Sequence, residues 1–558
     1  MQERPSWGRV AAVLATATAI LPPLAIIVYQ SVLDGPFFQP SAKLSLSAFR
    51  FVMADADFHR ALGSTLLVAT GMTAVAVPLG ALLAFLFVRT DLPGRRLLEP
   101  LLLIPIFLSP VVIAFGYVVA VGPVGFVTLL FRETFGTAPW NLYTIASVTL
   151  IAGLTHIPHV YLYTASTLRA MNVDLEEAAS VAGASTARIA LTVSIPMVRP
   201  ALLYSGVLVF FLGFELFGLP LILGDPEGLL VLSTYLFKLT NRLGVPSYQL
   251  MAVVAVVIMA FAFPLVWVQR RLMGGAGRFV SIRGKGVSHA PLRLGRWRWV
   301  ALALVLGWLG ATVVIPLAGV FLRAFVTNWG EGVRLSEVLT VGHFTELLDY
   351  PNLIRGVVNT LLIGVVGGAL AVACYAGIAL AAHRWQSRWA KVLDYLVMVP
   401  RGMPGLVAGL AFFWVFLFIK PIAPLRATPL SLWIAYSVVW LAYGMRLISS
   451  ALLQVGPELE EAALTVGASR GRITRDVTVP LIRFGLLGSW LLVFLIFVRE
   501  YSTGVYLLGP GTEVIGSLIV SLWATGAMDT ISALSVINVV LVGLGLLVAL
   551  QLGVRVNE

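Results

Sequence analysis

Stretches of roughly 20 consecutive apolar residues recur along the whole length of this chain, and each is long enough for a helix to cross the hydrocarbon core of a bilayer. Of 558 residues, 59% are hydrophobic and only 11% are charged, about half the charge of a soluble domain. Inside lipid every backbone N–H and C=O must find a partner in its own helix or in a closed barrel. Long apolar runs, rather than short alternating ones, select helices. The predicted fold class is an all-α polytopic membrane protein with about twelve spans, near 9–32, 62–88, 97–121, 142–168, 200–222, 249–270, 297–326, 356–383, 391–419, 429–453, 484–508 and 530–553. An even number of spans places both termini on one side.

The net charge of +12 would suggest nucleic acid in a soluble protein. Here Lys and Arg gather in alternate loops, the pattern of the positive-inside rule. Arg89, Arg95 and Arg96 fill one such loop, and Arg384, Arg388 and Lys391 another. Arg270, Arg271, Arg278, Arg283, Lys285, Arg293, Arg296 and Arg298 crowd the middle of the chain. These loops are expected to be cytoplasmic, with both termini. The opposite loops are richer in acids, among them Asp34, Asp55, Asp57, Asp225, Glu227 and Glu337. The one cysteine, Cys374, excludes an intramolecular disulfide and a Cys-rich metal site. Arg4 and Arg9 precede an apolar run that has no convincing small-residue cleavage site, so the first span is expected to be retained.

A polar sequence occurs twice within this apolar text. Leu175-Glu176-Glu177-Ala178-Ala179-x-x-x-Gly183-Ala184-Ser185, followed by Val193-x-Ile195-Pro196, returns 284 positions later. The second copy reads Leu459-Glu460-Glu461-Ala462-Ala463-x-x-x-Gly467-Ala468-Ser469, followed by Val477-x-Val479-Pro480. Basic residues flank both copies, Arg169, Arg188 and Arg199 around the first and Arg470, Arg472, Arg475 and Arg483 around the second, so both are expected on the cytoplasmic face. Other landmarks repeat too. Ser64-Thr65-Leu66-Leu67 answers Asn359-Thr360-Leu361-Leu362, Pro105 answers Pro400, and Glu215 answers Glu500 with one residue inserted. The halves read as a parallel duplication: a first domain over 1–275 with its loop at 175–196, a linker over 276–296, and a second domain over 297–558 with its loop at 459–480.

Each repeated loop is predicted to be a short helix–turn–helix. The alanines allow close approach by a partner, and Gly183 and Gly467 free the backbone to turn. Pro196 and Pro480 suit a helix start where the chain re-enters the bilayer. Glu177 and Glu461 offer carboxylates to a partner's Arg or N–H groups.

The pattern Glu-Ala-Ala-x-x-x-Gly, with a hydrophobic-x-hydrophobic-Pro ending, resembles the EAA loop of permease subunits of binding-protein-dependent ABC importers. The resemblance covers nearly the whole chain, as two permease domains fused head to tail in the type I importer fold. It implies that Glu177, Ala178, Ala179, Gly183 and Pro196, with Glu461, Ala462, Ala463, Gly467 and Pro480, dock on ATP-hydrolysing subunits. The implied partners are two copies of an ABC ATPase, a periplasmic solute-binding protein and the bilayer of a bacterial inner membrane, with no nucleic acid.

A narrower resemblance, to fused permeases of the ferric-iron importer group, rests on several segments. They are Ser233-Thr234-Tyr235 with Tyr248, Gln269-Arg270-Arg271-Leu272, Phe279-Val280-Ser281-Ile282-Arg283-Gly284-Lys285-Gly286, Arg499-Glu500-Tyr501-Ser502-Thr503, and Leu507-Leu508-x-Pro510-Gly511-Thr512-Glu513-Val514. Similar fused permeases carry polyamines, thiamine, phosphonates or other small organic anions. Gly284-Lys285 lacks the upstream glycine and the following Ser or Thr of a phosphate-cradling loop. The chain is therefore expected not to be an enzyme and to bind no cofactor, with ATP and Mg used by a separate subunit.

Ionisable groups inside spans are costly and mark candidate translocation-path positions: Glu215, Arg499, Glu500 and Arg401. An Arg–Glu pair that merely holds helices together is the alternative. Arg401, which has Ile106 as its counterpart, either faces an anionic substrate or snorkels to a headgroup. His156 and His159 share a helix face around Pro158. With no third ligand in view they read as part of a polar kink rather than a metal site, and no metal is assigned to the chain. Pro105 with Pro110, and Pro400 with Pro404, read as hinges or as packed kinks. A secondary transporter would also show repeats and buried acids, yet has no use for two such loops. A membrane enzyme would need a convergent polar site, and none is visible.

Overall fold

The computed structural model describes residues 7–171, 174–241, 246–276, 291–330 and 333–552. The described residues are helical with irregular connections, and their only β pairings are three isolated bridges. Eight helices are long and apolar enough to cross a membrane. Four further pairs, each bent by more than 40°, bring the total to as many as twelve. The Gly284 segment of the linker lies outside the described residues.

Several expected spans are not straight rods, and proline accounts for most of the departures. The span expected at 97–121 stops at Phe107, runs extended through Leu108 and Ser109, and restarts at Pro110–Val121. Its counterpart at 391–419 bends by 106° between Arg388–Gly402 and Gly405–Phe418, with Pro404 extended at the break. Proline fits the first turn of a helix because the N–H it lacks would have no partner there, and it disfavours the helical region for its predecessor, which is extended at Ser109 and Met403.

A related slip occurs three times. Ile195, Val479 and Ile315 stand immediately before Pro196, Pro480 and Pro316, and each donates its N–H five residues back, closing a π turn. The missing proline N–H removes the ordinary bond to the fourth residue back, and the ladder widens locally.

Packing divides the chain into two compact units whose limits differ from those of the sequence duplication. One takes in the described residues of 1–52, 245–259 and 343–555; the other takes in those of 53–244 and 260–342. The leading helix of each half therefore packs with helices of the opposite half. In the first unit Trp7–Ser31 lies on Arg388–Met398 and Gly405–Phe418. Beyond it, Phe37 meets Phe418 edge-on with centroids 4.1 Å apart.

In the second unit Trp297–Ala324 crosses Pro110–Val121. Lipid supplies no hydrophobic drive between helices, so close contact depends on small residues. A Cβ on Gly116 would sit 2.3 Å from the carbonyl oxygen of Pro316, and one on Gly319 would sit 2.7 Å from the oxygen of Gly116. Ala56–Arg89 and Ile145–Ala170 approach in the same way, Gly71 against Thr149, Gly80 against Val160 and Gly153 against Val75.

Gly116→Val should destabilise the folded protein by about 1–3 kcal/mol through overpacking against rigid backbone. Gly307, on the same crossing span, has nothing within 4 Å of a built Cβ, so Gly307→Ala should be neutral or slightly stabilising. Thermal unfolding in detergent checks both. Equal losses from the two variants would contradict the crossing.

Candidate functional site

The two repeated loops adopt the same fold, step for step. The first opens with the helix Asp174–Val181 and the second with Pro457–Thr465. Gly183 and Gly467 follow, both in the left-handed region at φ 82°. Ala184 N–H then donates to the carbonyl of Ala179, and Ala468 N–H to that of Ala463, each at 3.0 Å. This is the six-to-one bond that closes a helix over a left-handed glycine. Ser185 and Ser469 start the next helix by accepting from the N–H of Arg188 and Arg472.

After the π turn and the proline, the chain breaks at Val198 and at Ile482, which share nearly the same backbone angles. It then enters Arg199–Glu215 and Arg483–Arg499, bent by 72° and 68°. Pro196 and Pro480 were expected at the point of re-entry; they lie two residues before it, because the slip they cause is completed before the helix breaks.

The adjacent glutamates divide the work between them. Neighbouring positions on a helix point about 100° apart, so only one of two can face the protein. Glu177, Ala178, Gly183 and Pro196 are exposed with Ala179 half-buried, and Glu461, Ala462, Ala463, Gly467 and Pro480 repeat that pattern. Leu175 and Val181 on the first helix, and Leu459 and Leu464 on the second, are also at least half exposed. The residues expected to meet a partner thus form an open face of alanines, aliphatics and a carboxylate.

Glu176 and Glu460 turn inward, with side-chain exposures of 4% and 14%. Glu176 pairs with Arg89 Nε at 3.0 Å and accepts from Ser194 Oγ at 2.6 Å. Glu460 pairs with Arg384 Nε at 3.0 Å and His383 Nε2 at 3.2 Å, and accepts from Thr478 Oγ1 at 3.1 Å. Each carboxylate joins the helix it stands on to the end of an earlier span and to the π turn before the bent span. Sequence reading missed this pair. The available signal was the second repeat: Ser194 and Thr478 stand 284 positions apart, the same offset as the loops.

The translocation-path candidates fall at helix ends. Glu215 closes its span in one unit, half-buried. Glu500 caps Arg483–Arg499 in the other and is 6% exposed. Trp440 Nε1 donates to Glu500 at 3.0 Å, Ser502 Oγ at 2.9 Å and Thr503 N–H at 3.0 Å. Three glycines leave no room around segment 500–503. A Cβ would sit 2.2 Å from Ser502 Oγ at Gly405, 2.4 Å from the Thr503 oxygen at Gly409, and 2.4 Å from the Glu500 oxygen at Gly516. Arg499 lies over the Trp440 ring and Arg401 over the Tyr443 ring. The second half therefore gathers Arg401, Arg499 and Glu500 around two aromatics.

His156 and His159 occupy the matching register of the first half, stacked with centroids 5.3 Å apart, and His156 Nδ1 lies 2.7 Å from the carbonyl of Ala152. Among the described residues no three or more His, Cys, Asp or Glu side chains could together hold a metal ion. Freed carbonyls at the broken ends are satisfied by side chains: Ser233 Oγ donates to Leu216, and Asn538 Nδ2 to Val498. The Pro-Gly-Thr-Glu segment ends on Glu513. Burial alone would raise the Glu513 carboxyl, but hydrogen bonds from Arg355 and from the N–H of Gly511 hold it below the ordinary carboxylate range.

A helical chain with as many as twelve candidate spans and a loop of the same fold in each half is a duplicated polytopic membrane protein. The chain belongs to the family of binding-protein-dependent transport system inner membrane components. It matches that family over residues 76–274 and again over 373–557, and it has the type I ABC permease fold. It is 24% identical over 431 residues, 74% of its own length, to a putative ferric transport system permease protein of Haemophilus influenzae. It is 24% identical over 429 residues to a ferric transport system permease protein of Actinobacillus pleuropneumoniae. The chain covers 64% and 60% of the length of these two relatives. A putrescine transport system permease protein of Escherichia coli is 24% identical over 284 residues, 49% of this chain and 96% of that protein.

Glu176→Gln leaves the largely buried Arg89 without its counter-charge, at a cost of about 3 kcal/mol to the local fold; Glu460→Gln costs less, because Arg384 is about a third exposed and water screens it. Each should lower transport at least tenfold while membrane insertion persists. Glu177→Gln, on the open face, should leave the loop fold intact. Limited proteolysis of the loops, measured beside transport, checks the distinction; equal protease resistance in all three variants would count against the inward carboxylates as clamps.

Proposed function

We propose that this chain is the membrane-spanning permease subunit of an ATP-driven importer, with ferric iron as its cargo. It receives the solute from a periplasmic binding protein and releases it to the cytoplasm by alternating access. The observation that carries the reading is the pair of loops, each with an open small-residue face and an inward carboxylate bound to the following bent span. Two ATPase subunits, one per loop, would bind these faces. Closure of the ATPase pair then moves each loop together with the π turn and break that lead into a span. Coupling requires that the two permease states differ in their contacts with the ATPase, since a partner that binds both equally shifts nothing. The loops are cytoplasmic in this reading, in keeping with the arginines around them.

Ferric iron is favoured over other cargoes because the two ferric relatives align across both halves of the chain, whereas the putrescine relative aligns with about half of it. A polyamine remains the second reading on that match. The decisive experiment reconstitutes the chain with its ATPase and binding protein in proteoliposomes. ATP-dependent uptake of radiolabelled ferric ion, undiminished by excess putrescine, is the expected result. Uptake of putrescine in place of iron would replace the cargo. Uptake driven by an ion gradient without any ATPase would overturn the importer reading.

A further inference from the structure

The two loops share one fold, but their surroundings differ. In the second unit the end of the inter-domain linker is fastened to the first loop. Leu292 pairs in parallel with Thr90; its N–H donates to the Arg89 carbonyl at 2.9 Å, and its own carbonyl accepts from Asp91 N–H at 3.2 Å. Leu294 N–H donates to Asp91 Oδ1 at 2.8 Å. Thr186 Oγ1, in the short helix after Gly183, donates to the carbonyl of Arg293 at 3.0 Å. The linker end is thereby held by residues 89–91 at the end of helix Ala56–Arg89, where Arg89 in turn holds Glu176, and by Thr186 of the first loop.

Between this strip and the loop lies a recess of about 500 Å³, lined by Arg89, Arg95, Glu176, Glu177, Ala184 and Arg293 among others. It meets the open face of the loop at Glu177. The residue 284 positions after Thr186 is Arg470, which has no hydroxyl to repeat the clasp.

We infer that linker segment 291–294 is part of the first ATPase-docking surface. The recess between it and the first loop takes a protruding acidic element of one ATPase subunit, so the two ATPase subunits meet unlike surfaces. Charge chooses the occupant. Arg89 and Glu176 neutralise each other; among the other lining charges Arg95 and Arg293 outnumber Glu177 by one, while Asp91, outside the lining, is engaged by the Leu294 N–H. Its meeting with the exposed loop face at Glu177 makes the occupant of the recess the protein that binds that face. The inference rests on the coupling role proposed above, and the two can fail separately.

The single cysteine makes the test direct. In a Cys374→Ser background, Arg293→Cys and Glu177→Cys are each labelled with a benzophenone maleimide in the assembled complex with the ATPase, then illuminated. Position 177 reports loop docking, and position 293 reports the linker strip. ATPase adducts from both positions support the inference, with the adduct from 293 limited to one ATPase subunit per complex. Loosening the clasp with Thr186→Val and Asp91→Ala should then lower the 293 adduct by roughly threefold to tenfold while the 177 adduct persists, since two hydrogen bonds of modest net strength are lost. Adducts from 177 alone would overturn the linker's part and leave the coupling loops in place. Adducts from neither position would overturn the coupling reading itself, and this inference with it.

Discussion

Two inward-facing carboxylates, Glu176 buried and Glu460 partly buried, organise the repeated loops of this protein. Glu176 and Glu460 each stand on a short helix otherwise open to solvent, and each reaches inward to an arginine at the end of a preceding span and to a hydroxyl on the π turn ahead. A carboxylate placed so is costly unless paired, and once paired it is costly to separate. It therefore fixes three pieces of chain that would otherwise be independent surface segments. It leaves Glu177 and Glu461 turned outward and ties each short helix to the π turn that precedes the bent span.

The bend itself is a consequence of proline chemistry. Pro196 and Pro480 remove one N–H each, the ladder slips to a five-residue bond, and the helix breaks two residues later. The same residue type shapes the spans at Pro110 and Pro404. Broken spans expose carbonyls and N–H groups at membrane depth, where irregular backbone is tolerated only if other groups satisfy it. The side chains of Ser233, Asn538 and Glu500 perform that service. The second half does it with more polar chemistry: Tyr501-Ser502-Thr503 stand where the first half has Leu216-Phe217-Gly218, and the polar segment threads between Gly405, Gly409 and Gly516.

Much of the architecture is legible in the sequence because its causes are local. Long apolar runs specify helices that cross a bilayer, and a loop repeated at constant spacing specifies a duplication. The loops' glycines were legible for the same reason, since a left-handed turn favours glycine. What lay beyond reach depends on packing. Nothing in the spacing of Trp7–Ser31 or Trp297–Ala324 announces that each joins helices of the opposite half. The inward role of Glu176 rather than Glu177 depends on where Arg89 ends its span, a tertiary fact. A hinge or kink at Pro105 with Pro110, and at Pro400 with Pro404, was legible, but its sharpness was not, since it depends on Leu108 and Ser109, or Met403, leaving helical geometry altogether.

The central claim is that the inward carboxylate and its arginine act as one unit connecting loop to span. A double-mutant cycle on Arg89 and Glu176 tests it most directly, using Arg89→Gln, Glu176→Gln and the pair together, with solute transported per ATP hydrolysed as the readout. The account predicts that the double variant is no worse than the poorer single one, with an interaction of roughly 1–3 kcal/mol. Additive losses would mean that the two residues act independently, and would contradict the account.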